Sequence, residues 1–199
     1  MKNFPPLLSV ISAAAALCAV PAAAGTSLSM GDELVAQAAA TTPADVAADL
    51  DFLLRAWRAN VQELGAARLA MDRSRDVRVR QFARVLVREH SAANVHFQRL
   101  GASRGLGVPA AVRGDGVAAE FGLEGLRGVA FDRQFVASAG VQAHRDAVEL
   151  FRQEAEHGRD RALVRFASAS LPMLRKHLAR AEALQAQFEL RRRNFAPAR

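Results

Sequence analysis

The stretch that decides the fold is residues 42–72, TPADVAADLDFLLRAWRANVQELGAARLAMD. Leu50, Leu53, Leu54, Trp57, Val61 and Leu64 recur at spacings of three and four, the period of one helical face. Thr42 and Pro43 supply an N-cap and a first-turn proline ahead of them. The stretch therefore reads as one long amphipathic helix, and its apolar stripe requires other helices to cover it.

Those helices follow downstream. Ser74 to Asp76 makes a tight turn, after which Val79, Phe82, Ala83, Leu86, Ala93, Phe97 and Leu100 mark a second helix ending near Gly105. So short a turn implies antiparallel neighbours. Residues 105 to 128 are glycine-rich, contain Pro109 and surround a short helix near 117–126, which suits a crossover along a bundle. A third helix over 129–157 presents Phe131, Phe135, Gly140, Val141, Ala147, Val148 and Phe151, and Gly158 closes it. A fourth over 159–190 carries Leu163, Phe166, Ala167, Leu174, Leu178, Ala181, Leu184 and Phe188, with Pro172 expected to kink it. The fold class is all-α, a four-helix bundle of two antiparallel hairpins joined by a crossover, the connectivity of ferritin-like proteins. A faint internal echo agrees: Arg75-Asp76 before Phe82-Ala83 recurs, with the same spacing, as Arg159-Asp160 before Phe166-Ala167.

The opening of the chain has a different character. Lys2, an apolar run from Leu7 to Val20, and Ala22 and Ala24 around an A-x-A cleavage pattern read as a secretory signal peptide over residues 1–24. The expected organisation is that leader, a flexible spacer at 25–41, the bundle at 42–190 and a basic tail at 191–199. Export implies a periplasmic or secreted protein. The single cysteine, Cys18, leaves with the leader, so the mature chain offers no disulfide and no thiolate ligand. No later stretch is apolar enough to span a bilayer. The net charge of +7 is carried almost entirely by arginine, interleaved with acids instead of gathered in a tract. That pattern argues against nucleic-acid binding and leaves an anionic envelope surface or another protein as the partner. Arg80, Arg84 and Arg88 form a ridge on the outer face of the second helix.

Chemistry is concentrated in the polar residues that interrupt the apolar stripes. His90 continues the stripe of Phe82, Leu86, Ala93 and Phe97; His144 lies among Gly140, Val141, Ala147, Val148 and Phe151; His177 lies between Met173-Leu174 and Ala181. Glu63 sits on a neighbouring stripe of small residues, Ala56, Ala59, Asn60, Ala67 and Ala70. Counted from the hairpin turns at about 1.5 Å per residue, the four lie about 17 to 28 Å deep, near mid-helix. One polar side chain per helix at similar depth makes a constellation. Three imidazoles and a carboxylate, Glu63, His90, His144 and His177, suit a divalent transition metal as cofactor, with Glu89 as a further ligand or support. The other reading is a hydrogen-bonded polar network without metal. The Glu-x-x-His pairs of di-iron bundles are missing, since Val87, Val141 and Leu174 stand three before the histidines. His96 falls off the stripe and is expected in solvent, and His157 precedes the Gly158 cap, where an imidazole suits the helix C-terminus. No nucleophile triad or phosphate loop is present.

Asn60 to Glu63, Glu89-His90 after an arginine-rich run, Phe131-Asp132, His144, and Leu171-Pro172 leading to His177-Leu178 together resemble the domain of unknown function 4142 family over residues 47–187. The resemblance implies a secreted or periplasmic ferritin-like bundle with no established activity. One departure is Glu89, where the family commonly has Asp; the carboxylate is kept. Two functions stand at this point: a non-enzymatic envelope or stress-related bundle, and a metal-binding bundle for storage, sensing or redox chemistry.

Overall fold

A computed structural model of the protein describes residues 42–109 and 116–194, and every regular element among them is helical. The expected leader at 1–24 and spacer at 25–41 lie outside the described residues. The elements are α1 (Pro43–Arg73), α2 (Val77–Ala102), α3 (Val117–Glu120), α4 (Gly128–Phe135), a π-helical segment (Val136–Gln142), α5 (Ala143–His157) and α6 (Arg161–Asn194).

Local chemistry fixes where the helices begin. The Thr42 hydroxyl accepts from the Asp45 N–H, and the Asp45 carboxylate accepts from the Thr42 N–H at 2.8 Å, a reciprocal capping box. Asp76 caps α2 by accepting from the Arg78 N–H, and Asp160 caps α6 by accepting from the Ala162 and Leu163 N–H groups. The two halves of the sequence echo thus perform the same task. Gly158 ends α5 by donating its N–H to the Glu154 carbonyl, but with φ −58° it is not in the left-handed cap conformation. Its requirement for glycine is steric: a Cβ there would lie 2.5 Å from Glu154 Oε1. α6 includes Pro172 and continues to Asn194, three residues past the Arg191 where the basic tail was expected to begin.

Contacts at the helix ends define the packing. Asp49, near the start of α1, accepts from the N–H groups of Arg159 and Asp160 in the α5–α6 turn. Arg104, just beyond α2, pairs with Asp160, while Arg191 near the end of α6 reaches Asp76 in the α1–α2 turn. α1 therefore runs antiparallel to both α2 and α5, and α6 antiparallel to α5 and α2. The Trp57 Nε1–H donates to the Pro109 carbonyl and ties the start of the crossover to α1.

The interior holds two apolar clusters. One surrounds Phe82, Leu86, Phe131, Phe135 and Phe188. The other surrounds Phe52, Leu53, Phe97, Phe151 and Leu163. Glu63, His90, His144 and His177 fall between them on every helix, so a polar layer crosses the middle of the core.

Candidate metal centre

The four residues singled out by periodicity come together. Glu63, His90, His144 and His177 are all buried, and one ring nitrogen from each histidine lies within 4.8 Å of the other two. Ring centroids are 5.1 to 5.7 Å apart. Glu63 Oε2 stands 3.3 Å from His90 Nε2 and 3.2 Å from His144 Nε2, while His144 Nε2 stands 3.2 Å from His177 Nδ1.

Hydrogen bonds on the far side of each ring decide what the near side presents. Asn60 Nδ2 donates to the His90 carbonyl, which turns Asn60 Oδ1 toward His90 Nδ1 at 3.0 Å. His90 Nδ1 is therefore the N–H and His90 Nε2 carries the lone pair. His144 Nδ1 meets the carbonyls of Gly140 at 2.9 Å and Ala139 at 3.2 Å; two acceptors require it to donate. His177 Nε2 is 2.7 Å from Glu89 Oε2. Partial burial pushes the Glu89 carboxyl up, but hydrogen bonds from Arg88 and His177 outweigh it and the net shift is downward. An ionised Glu89 must receive the His177 proton, leaving the lone pair on Nδ1.

The lone pairs of His90 Nε2 and His177 Nδ1 and a carboxylate oxygen of Glu63 thus converge on one buried point beside His144 Nε2. Burial, then repulsion from His144 and His177, drives His90 well below the usual imidazole range. Burial and His144 lower His177 to about 4 against the opposing pull of Glu89. Both rings are neutral at physiological pH. Burial raises the Glu63 carboxyl, countered by His144 and reinforced by Asp146. Even a protonated Glu63 could satisfy only one of the facing lone pairs. Glu63 Oε2 and His90 Nε2 have no hydrogen-bond partner, an exception among buried polar atoms that calls for a cause.

The π-helical segment is the element that sequence periodicity missed. Its wider turn, with the Ala143 N–H bonding back to the Ser138 carbonyl, places the Ala139 and Gly140 carbonyls beside His144 Nδ1. Gly140 also lets neighbours approach: a Cβ there would lie 3.0 Å from Ala181 and 3.4 Å from Phe82. Asn60 was legible as a stripe neighbour of Glu63 one turn earlier, but its role in orienting His90 was not. His96 is exposed, as expected, and His157 is exposed too.

An antiparallel helical bundle with an inward-facing imidazole–carboxylate cluster across its middle is the class that fold and site define. Within it, the chain belongs to the family described as Domain of unknown function (DUF4142), which it matches over residues 34–184. No curated protein and no solved structure matches the chain.

Proposed function

We propose that the protein holds one divalent transition-metal ion in the middle of its bundle, with Glu63, His90, His144 and His177 as ligands. The observation that carries this reading is the commitment of every outer ring nitrogen, to Asn60, to the Ala139 and Gly140 carbonyls and to Glu89. Metal-bound histidines characteristically donate their second N–H to such partners. A self-satisfied polar network would instead put a proton between facing atoms, whereas Glu63 Oε2 and His90 Nε2 have no hydrogen-bond partner.

Spacing supports the same reading. Zinc bonds of about 2.0–2.1 Å at tetrahedral angles set ligand atoms about 3.3 Å apart. Three of the six donor contacts are 3.2, 3.2 and 3.3 Å, and the three histidine donors lie within 4.8 Å of one another. Imidazole and carboxylate suit zinc, iron, manganese or copper, and these donors are buried in a closed layer. A closed site favours holding an ion, for storage or sensing, over turning over a substrate. With the leader at 1–24, we place this function in the cell envelope, where the exposed Arg80 and Arg84 would meet an anionic surface or partner.

The test is elemental analysis of protein purified without a histidine tag, before and after reconstitution with each ion. One equivalent of metal in the wild type and none in His90→Ala/His144→Ala or Glu63→Gln is the expected result. Wild-type protein that remains far below one equivalent after every reconstitution defeats the reading.

A further inference from the structure

Glu63 also borders a surface groove. A groove of about 360 Å³ between α1 and α5, bounded at one end by α3, reaches Glu63 at its floor. None of the three histidines lines it. Glu63 is 2% exposed; it lines this groove while its Oε2 faces His90 Nε2 and His144 Nε2 in the core, so one side chain borders both.

The rim carries the complementary charge. Glu120 and Asp146 line it, both exposed, and each is held by an amide: Glu120 by Gln62, Asp146 by Gln142 at 2.9 Å. Among the described residues neither forms an ion pair with arginine, although Asp51, Asp76, Asp160, Glu149 and Glu182 all do. The cation that borders the groove, Arg55, pairs with Asp51. A chain of net charge +7 thus carries a locally negative cleft leading to the carboxylate of its polar core. Ala59, Ala143 and Ala147 flank Glu63 and leave its path open.

We infer that this groove is the route by which a hydrated divalent cation reaches and leaves the cluster, received by Asp146 and Glu120 and passed inward by Glu63. The inference rests on the metal-holding reading. Fixed carboxylates at the mouth raise the local cation concentration, and clefts of one charge accelerate association by about 10- to 1,000-fold. The sealed histidines then complete the site.

The test is stopped-flow transfer of Zn²⁺ from a chromogenic chelator to the metal-free protein at low and high ionic strength. Glu120→Gln/Asp146→Asn alters two exposed residues outside the ligand set, so folding is retained. Its loading rate should fall about tenfold at low salt, with a flattened salt dependence and final occupancy still one ion per chain. Gln142→Trp, a plug at the exposed rim, should slow loading and release together. Wild-type rates in both variants at full occupancy overturn the route while leaving the metal site standing. A wild type that never takes up zinc overturns the site and the route with it.

Discussion

At the scale of the residue, function depends on side chains that hold other side chains. Glu89 is 26% exposed and fixes the His177 tautomer through a 2.7 Å contact. Removing it frees His177 to turn or change tautomer, so Glu89→Ala should weaken metal affinity about 10- to 100-fold. Calorimetric titration reads this directly, and because Glu89 is at the surface the metal-free unfolding midpoint should move little. Glu154 gives a prediction independent of metal. Burial, then repulsion from Asp49 and Asp160, lifts its carboxyl to about 7 against the pull of Arg104, and its Oε1 has no partner. The unfolded chain ionises near the ordinary value of about 4.3. The folded state therefore binds the extra proton, and stability declines as pH rises from about 4.3 to about 7. Glu154→Gln removes that liability: it should add about 1 kcal/mol at pH 8 and almost nothing at pH 4, measured by denaturant unfolding at both. The buried cluster was legible because a histidine on an apolar stripe stands out against phenylalanine and leucine. Glu154 was not, because nothing in the sequence places it against Asp49, more than a hundred residues earlier.

At the scale of the element, the segment Val136–Gln142 shows where reading by periodicity stops. Its sequence, VASAGVQ, is small and apolar, and either an α or a π turn accommodates it. The difference appears only in the packing: Ala139, Gly140 and Val141 are buried in succession, one position more than an α-helical stripe supplies. The extra residue widens the turn that supports His144. Gly140 is where this arrangement is tightest, because a methyl group would press on both Ala181 and Phe82. Gly140→Ala should cost about 1–3 kcal/mol through overpacking. It should also weaken metal binding through the displaced carbonyl, so thermal unfolding and metal titration should change together. Unchanged affinity in a destabilised variant would separate the packing role of Gly140 from its support of His144.

At the scale of the whole molecule, the two hairpins present their ligands from opposite ends of the bundle. Glu63 and His90 lie thirteen and fourteen residues from the capping Asp76, and His144 and His177 sixteen and seventeen from the capping Asp160. Each hairpin thus supplies two ligands at matched depth, and the antiparallel packing of α1 on α5 and α2 on α6 brings the pairs to one level. That level separates the two apolar clusters, where four polar side chains occupy positions that could have held leucine. Without metal, Glu63 Oε2 and His90 Nε2 are buried without a hydrogen-bond partner, which weakens the middle of the core; an ion would join all four long helices there. Ligand bound to the native state alone at 100 times its Kd adds about 2.7 kcal/mol. For a domain of this size each kcal/mol raises the melting temperature by about 2–4 °C, so excess metal should raise it by about 5–10 °C. Differential scanning calorimetry with and without a chelator measures the shift. It should vanish in His144→Ala but persist in Arg80→Ala/Arg84→Ala on the outer face. A shift equal in all three proteins would assign the stabilisation to weak binding at the surface and remove the polar layer from the account.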